Sequence, residues 1–255
     1  MIKTKEEIEI MREGGKRLAE VLSKVSEVVS PGVDVKELND LAEKLIREGG
    51  DEPSFLGYTP AGANRPYPST LCASINDEVV HGICGEEEKI LKEGDIVGLD
   101  LGLKHKGLFV DMAVTAPVGE IKEEDQKLIN ITKEALQVGI KKARAGGTVG
   151  DIGHAIEQFV GPHGYSMPIE LGGHGVGKKV SESPYVANFG QKGEGEKLSP
   201  GMTLAIEPML NRGDSRIVLK DDGYTYKTAD GKNSAHFEHT ILITEGDAEV
   251  LTKTQ

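Results

Sequence analysis

Two aspartates lie in neighbouring stretches whose apolar residues alternate as they do in strands. Across residues 95–115, Asp100 and Asp111 point away from the face that carries the apolar side chains. A hairpin with His105 and Lys106 as its loop makes the aspartates direct cross-strand neighbours, with Cβ atoms roughly 4.5–5.5 Å apart. Two ionised carboxylates at that distance repel each other, and a divalent cation removes the repulsion. The alternative is a sheet face open to water that tolerates the pair.

Two glutamates and a histidine stand in further segments typical of buried strands. Glu207 lies in GMTLAIEPML and Glu238 in AHFEHTILIT, where an ionised carboxylate needs a partner. His174 stands between glycines that let the backbone come close to a bound group, although a single histidine is also an ordinary core residue. Four acids and one imidazole suit Mn²⁺, Fe²⁺, Co²⁺ or Zn²⁺, and bridging carboxylates can hold two such ions. Two cations would activate water for hydrolysis.

Helices precede these strands. Thr4 begins a capping-box spacing, and apolar residues then recur at helical intervals up to a stop at Pro31. A second helix is predicted to begin after Asp34 and to end at Gly49. A longer helix is predicted over about 123–144, and strands follow it as they follow the first pair of helices.

The chain shows signs of an internal repeat. An offset of 114 places the helix start at Asp34 on the similar start at Thr148. This predicts one catalytic domain over residues 1–255, with αα-then-β halves of about 4–118 and 119–255. Chance is the alternative, because a glycine, a capping residue and an apolar run begin many helices.

The composition is that of a globular protein without affinity for polyanions. The net charge of −12 opposes binding to nucleic acid and to anionic membranes. The two cysteines match no disulfide framework or metal spacing, which indicates a reducing compartment. The first residues lack the apolar core of a signal peptide, and no apolar stretch is long enough to cross a membrane. We therefore expect a cytoplasmic protein.

Five segments resemble the "pita-bread" metallopeptidases, a family that includes methionine aminopeptidases, prolidase and aminopeptidase P. They are most similar to the type I methionine aminopeptidases, and they are LCASINDEVVHGI, GLDLGLKHKGLFVDMAVT, GGHGVGKKVSESPYV, GMTLAIEPML and AHFEHT. The resemblance covers nearly the whole chain. It implies an α+β pita-bread (creatinase/aminopeptidase) fold, with two pseudo-symmetric αα-β halves around a curved antiparallel sheet. The implied activity is removal of the initiator methionine from nascent proteins, preferably before a small second residue.

The resemblance also implies roles for the acids and the histidine. Asp111 and Glu238 would bridge two divalent ions, Asp100 would complete one ion, and His174 with Glu207 would complete the other. The ions are expected to be Co, Mn, Fe, Zn or Ni, with the one used in the cell left open. Glu207 is also a candidate proton shuttle, and its alternative is a ligand that moves no proton.

A second group of residues is similar to the family's substrate contacts. His81 matches the histidine that lies near the scissile amide, with a core histidine as its alternative. Residues resembling a pocket for the methionine side chain, each of which could instead be ordinary core, are Phe55, Tyr58, Cys72, Tyr224 and Phe237. Asn76 and Ser234 look similar to residues around a monovalent-cation site.

This sequence departs from the family at one substrate-binding position. Type I relatives have a histidine seven residues after the ligand histidine, where this chain has Ser181. Loss of a donor aimed at a developing oxyanion can lower the rate on the order of 10²–10³-fold. His236, where relatives usually have glutamine, is a candidate to compensate for the missing donor.

Two other functions stay open at this point. An X-Pro aminopeptidase or dipeptidase shares the fold and the metal ligands but adds an N-terminal domain. A catalytically weak peptide-binding member is favoured by Ser181, but the presence of every ligand argues against it, because clustered carboxylates without cations are destabilising. The expected partners of an aminopeptidase are nascent polypeptide N-termini, with ribosome contact left open, and a monomer is expected.

Overall fold

The computed structural model describes residues 2–60 and 62–254. These residues form four α-helices, which are α1 (Lys5–Glu27), α2 (Val35–Glu48), α3 (Glu123–Lys142) and α4 (Val149–Val160), and one 3-10 turn at Gly161–His163. The strands are β1 (Glu52–Pro53), β2 (Leu71–Ile75), β3 (Glu78–Val80), β4 (Ile96–His105), β5 (Leu108–Pro117), β6 (Gly172–Gly175), β7 (Glu182–Ala187), β8 (Thr203–Ile206), β9 (Met209–Asn211), β10 (Ile217–Leu219), β11 (Tyr226–Thr228), β12 (Ser234–His236), β13 (Glu238–Leu242) and β14 (Glu249–Val250).

Side-chain caps fix the starts of three helices. The Thr4 hydroxyl accepts a hydrogen bond from the Glu7 N–H at 3.2 Å, and the Glu7 carboxylate accepts one from the Thr4 N–H at 2.8 Å. Asp34 caps α2 and Thr148 caps α4 in the same reciprocal way. The predicted starts at Thr4 and Asp34 are therefore confirmed, and α2 ends directly before Gly49 as predicted.

An antiparallel sheet forms the centre of the fold. Within the described residues it has nine strands, and its main path runs β1-β4-β5-β13-β8-β6-β7, with β2 paired to β4 and β14 paired to β13. A three-stranded sheet of β10, β11 and β3 and the pair β9–β12 accompany it. Helices and antiparallel strands thus combine as the predicted α+β class requires.

The helices bury the apolar side of this sheet. Leu99, Leu101 and Leu103 of β4 lie in one core cluster with α1 and α2, and Ile241 of β13 lies in a second cluster with α3 and α4. Because successive side chains of a strand point to opposite faces, Asp100 points away from the helices. The face that carries the predicted metal ligands is therefore the one without helices.

The β4–β5 hairpin has a different loop from the predicted one. His105 pairs with Leu108, so the loop consists of Lys106 and Gly107, whose φ angles are +46° and +85°. Two central residues with positive φ are typical of a type I′ turn, whose twist matches that of the strands. Glycine adopts such a φ without steric cost, which explains why the turn includes Gly107 and why a His105-Lys106 loop was the wrong prediction.

The corrected loop shifts the register of the two aspartates. Asp100 pairs with Ala113, and Asp111 pairs with Gly102. The prediction that the aspartates are directly opposite each other is therefore wrong, although both side chains still lie on the same face. They are diagonal neighbours, a distance across which side chains still reach each other.

A helix pair precedes strands twice along the chain. α1 and α2 come before β2, β4 and β5, and α3 and α4 come before β6, β8 and β13. The division into halves of about 4–118 and 119–255 within one domain stays a prediction. Among the described residues, no helix is both long enough and apolar enough to span a bilayer.

We predict that Gly107→Ala lowers the free energy of unfolding by about 1–2 kcal/mol, because an added Cβ disfavours the left-handed conformation. Gly161→Ala is the matched control: both added Cβ atoms would meet open space, but Gly161 is right-handed, with φ of −49°. Urea unfolding measures both. Equal stability changes in the two variants would contradict the assigned turn geometry.

Candidate metal centre

Five strands that are consecutive neighbours in the central sheet each position one predicted ligand. Asp100 lies on β4, Asp111 on β5, Glu238 begins β13, Glu207 directly follows β8, and His174 lies on β6. These residues are far apart along the chain, and strand pairing brings them to one face of the sheet. All five line a single cavity of about 330 Å³.

Ligand atoms from these side chains approach each other closely enough to share an ion. One atom each from Asp111, His174 and Glu238 lie within 4.8 Å of one another, and the His174 Nε2 is 3.6 Å from the Glu207 Oε1. Nitrogen and oxygen ligands each about 2.0–2.2 Å from one ion are separated by about 3–4 Å, depending on the angle between them. The spacing therefore fits metal coordination better than hydrogen bonding.

The acids carry a large electrostatic penalty without cations. Burial, followed by repulsion from the neighbouring acids, raises the pKa of Asp111 and of Glu238 well above their usual values. Burial also raises the pKa of Asp100 to about 6. Within the described part of the chain, the Asp100 Oδ1 and the Glu238 Oε1 are buried without a hydrogen-bond partner. Buried, unpaired carboxylate oxygens that converge in this way fit divalent ions.

Hydrogen bonds orient two of the ligands. The Asp111 N–H donates to the Thr240 Oγ1 at 2.9 Å, and that hydroxyl donates to the Asp111 carbonyl at 2.8 Å, which locks β5 to β13. The His174 Nδ1 lies 2.8 Å from the Gly175 carbonyl oxygen, so this nitrogen carries the proton and donates it. The Nε2 of His174 is then the nitrogen left to act as a ligand atom, and it faces Glu207.

The glycines beside His174 have a different role from the predicted one. A Cβ on Gly173 would lie 2.2 Å from the Ala205 carbonyl oxygen, and a Cβ on Gly175 would lie 2.3 Å from the Ser183 carbonyl oxygen. The glycines allow close approach of the neighbouring backbone segments rather than of a bound group. They set the position of β6, and with it the position of the imidazole.

Most of the predicted substrate contacts line the same cavity. Those that the structure brings to it are Phe55, Tyr58, Cys72, His81, Ser181 and Tyr224. His81 directly follows β3 with a φ of +59°, and burial lowers its pKa, so the imidazole is neutral near pH 7. The Thr225 hydroxyl donates to the His81 carbonyl at 3.2 Å and holds this unusual backbone conformation.

Phe237 lies outside this cavity. It packs in the core cluster that α3 and α4 share, between His236 and Glu238 in the sequence. Because Glu238 points into the cavity, the adjacent side chain of Phe237 points towards the opposite side. The structure therefore places Phe237 in the core and not, as predicted, in the pocket.

Asn76 and Ser234 are adjacent, as the resemblance to a cation site implies. The Ser234 N–H donates to the Asn76 carbonyl at 2.8 Å. The Asn76 amide group donates to Asp95, and the Ser234 hydroxyl donates to the Leu210 carbonyl. Binding of a monovalent cation at this position stays a prediction.

Several residues of the cavity wall were not predicted from the sequence, and these are Pro60, Tyr67, Val80, Glu170, Leu171, Gly172, Val180, Tyr185 and Met209. Tyr67 donates its hydroxyl to the Gly82 carbonyl at 3.0 Å and packs edge-on against Tyr224 with ring centroids 5.1 Å apart. It comes from a loop without any periodic pattern, so no local signal identified it. Val180 and Met209 each lie within two residues of a predicted site residue, which could have indicated them.

His236 was predicted only as a donor that compensates for the missing histidine, but the structure places it among the metal ligands. One atom each from Glu207, His236 and Glu238 lie within 4.8 Å of one another. The described residues thus contain two three-residue groups with the spacing of a metal site, and both groups include Glu238.

Comparisons with known proteins give the family and the relatives of this chain. The profile of metallopeptidase family M24 matches residues 9–245. The methionine aminopeptidase of Clostridium perfringens is 45% identical over 252 residues, which are 99% of this chain and 98% of that protein. The crystal structure of methionine aminopeptidase from Thermotoga maritima superposes with a TM-score of 0.94 at 43% identity and covers 99% of each chain.

A more distant structure shares the fold. The Xaa-Pro dipeptidase of Bacillus anthracis superposes with a TM-score of 0.79 at 24% identity, and the match covers all of this chain but 62% of that one. At this identity the similarity concerns the fold alone. The predicted pita-bread architecture is confirmed by these structures together.

We predict that Asp111→Asn stabilises the metal-free protein. A raised carboxyl pKa favours folding at low pH, and this stability is lost as pH rises from about 4 through the raised value. In EDTA at pH 8 the free energy of unfolding, measured with urea, should therefore be higher for the variant than for the parent by at least about 1 kcal/mol. This difference should vanish near pH 4.

Asp221→Asn, a change at an exposed carboxylate outside the cavity, is the control and should alter stability little at either pH. With saturating Co²⁺ or Mn²⁺ the order of parent and Asp111→Asn should reverse, because only the intact centre gains stability from binding. A variant less stable than the parent in EDTA at pH 8 would show that the acids do not repel each other.

Proposed function

The chain belongs to metallopeptidase family M24, and from this premise we propose that it is a methionine aminopeptidase that removes the initiator methionine from nascent proteins. The observation that carries the proposal is the convergence of Asp100, Asp111, His174, Glu207 and Glu238 on one cavity wall. The full-length relatives in Clostridium perfringens and Thermotoga maritima are methionine aminopeptidases, which supports the same activity.

Two divalent ions would be held by this set. Glu238 belongs to both groups of potential ligands, so it would help to hold both ions. In our proposal Asp111 would also help to hold both ions, Asp100 would hold one of them, and His174 with Glu207 would hold the other. Bound ions would supply Lewis acidity, lowering the pKa of water and polarising the scissile carbonyl. Co²⁺, Mn²⁺, Fe²⁺, Zn²⁺ and Ni²⁺ all suit these donors.

The chain's own side chains orient the substrate. Phe55, Tyr67, Cys72 and Tyr224 form one buried cluster beside the acids, and their apolar and polarisable surfaces suit a thioether side chain. A cavity of about 330 Å³ is near the lower limit for ligand pockets, so it suits one residue at a chain end. This favours an exopeptidase over an enzyme that cuts inside a chain.

Two groups are placed to act on the scissile amide. The neutral imidazole of His81 lies in the cavity wall and can donate a hydrogen bond to the attacked carbonyl or the leaving nitrogen. Glu207 lies on the wall with its side chain 13% exposed, and it can accept the proton that water releases and pass it to the leaving nitrogen.

The natural substrates in this proposal are nascent polypeptides whose second residue is small. Nascent chains are made in the cytoplasm, so we place the reaction there, with the enzyme acting as a monomer near the ribosome. The buried, unpaired state of Cys72 and Cys84 is compatible with a reducing compartment.

We predict that the protein with Co²⁺ or Mn²⁺ releases methionine from Met-Ala-Ser and Met-Gly-Ser peptides and that EDTA abolishes release. An Ala-Pro-Ser peptide, in the same assay, should be cleaved at least about 100-fold more slowly, because the apolar pocket is matched to methionine. Chromatography of the free amino acid measures both reactions. Preferential cleavage of the X-Pro peptide would instead establish the X-Pro aminopeptidase alternative, and no cleavage of either peptide by metal-loaded protein would favour a binding module.

We predict that Ser181→His raises kcat for Met-Ala-Ser about tenfold or more. Ser181 is exposed at the cavity wall, where an imidazole has room and adds a donor for the developing oxyanion. Ser181→Phe is the matched control, since it adds a ring without a donor. A similar kcat in both variants, at saturating metal, would show that a missing donor does not limit the parent enzyme.

A further inference from the structure

His236 occupies a position from which its imidazole can reach an ion. Its Nε2 lies 3.5 Å from the Glu207 Oε2 and 4.0 Å from the Glu238 Oε2. The residue is 3% exposed, and its Nε2 is buried with no hydrogen-bond partner in the part of the chain that the structure describes. A buried, unpartnered nitrogen that faces two carboxylates needs a ligand between them.

The distances favour coordination over direct hydrogen bonding. A charge-assisted N–H···O bond has a length of about 2.7–2.9 Å, well below both distances at His236. Two ligand atoms each about 2.1 Å from one ion, at an angle of about 110°, are about 3.4 Å apart. The His174 Nε2 lies 3.6 Å from the other oxygen of the same carboxylate, Glu207 Oε1, a distance that also fits coordination of a shared ion.

The backbone of His236 is fixed rather than mobile. The His236 N–H donates to the Thr115 Oγ1 at 2.9 Å, and the same hydroxyl donates to the His236 carbonyl at 2.8 Å. On its other side, β12 pairs with β9, where His236 is opposite Met209. Two strands therefore hold the backbone of His236 in place before any ion arrives, which reduces the entropic cost of coordination.

We propose that His236 is a ligand of a divalent ion that it holds together with Glu207 and Glu238, so that the centre contains two imidazoles instead of one. One imidazole faces each oxygen of Glu207, His174 at Oε1 and His236 at Oε2. The inference rests on the metal centre of the proposed function and is independent of the peptide that is cleaved.

A second imidazole changes which ions the centre prefers. Imidazole suits Zn²⁺, Co²⁺, Fe²⁺ and Ni²⁺, whereas carboxylates and carbonyl oxygens suit Mn²⁺ and Mg²⁺. The centre therefore discriminates more strongly in favour of Co²⁺ over Mn²⁺ than a set of four acids and one histidine would. Replacement of His236 by glutamine, which offers an amide oxygen, should remove that added preference.

The experiment compares parent, His236→Gln and His154→Gln proteins after removal of metal. His154 lies on α4, outside the cavity-lining set, with its Nδ1 near the Gly190 carbonyl, so His154→Gln controls for loss of a histidine. Titration calorimetry with Co²⁺ and with Mn²⁺ gives each Kd. For His236→Gln, we expect the Co²⁺ affinity to fall about 10–100-fold and the Mn²⁺ affinity to change less than about threefold, with no change for His154→Gln.

His236→Cys provides a signature that only a direct ligand produces. A thiolate bound to Co²⁺ absorbs in the near ultraviolet by charge transfer, so the Co²⁺-loaded variant should gain such a band relative to the Co²⁺-loaded parent. Far-ultraviolet circular dichroism of each metal-free variant checks that it is folded.

Unchanged Co²⁺ affinity in His236→Gln, together with no new band in His236→Cys, would overturn the assignment of His236 as a ligand. A parent protein that binds neither ion would overturn the proposed function itself, so the two failures are distinguishable.

Discussion

The burial of several carboxylates in one place is the constraint on which the rest of this structure depends. Asp111 and Glu238 are almost inaccessible to water, and burial with mutual repulsion raises the pKa of both. Such a cluster destabilises a fold unless cations compensate its charge. The stability that offsets the repulsion between the acids must therefore come from the helices packed on the other face of the sheet. Bound ions would offset part of the same repulsion.

The central sheet meets this constraint by contributing one ligand from each of five neighbouring strands. Adjacent strands are about 4.8 Å apart, so side chains on consecutive strands can reach a shared ion. In the order β4-β5-β13-β8-β6, the first two strands come from the N-terminal part of the chain and the other three from the C-terminal part. The two parts therefore meet once, where β5 pairs with β13. The hydroxyl of Thr240 fastens that junction through both hydrogen bonds to Asp111. A site built on paired strands is more rigid than one built on loops.

Local patterns in the sequence predicted the helices and strands but not the contacts between distant strands. The alternation of apolar residues correctly separated Asp100 from the core, whereas the hairpin loop was misplaced because its register depends on the positive φ of Gly107. Pairing of β13 with β5 depends on packing summed over distant residues, so no local pattern could show that Glu238 lies next to the aspartates. The position of His236 depends on β12 pairing with β9, which no short pattern encodes.

Anomalous X-ray diffraction from crystals soaked in Co²⁺, recorded at the cobalt absorption edge, tests the central claim most directly. We expect two anomalous peaks in the cavity, about 3.5–4 Å apart, with the carboxylate of Glu238 between them. A single peak that Glu238 does not touch, or no peak in the cavity at saturating Co²⁺, would contradict it.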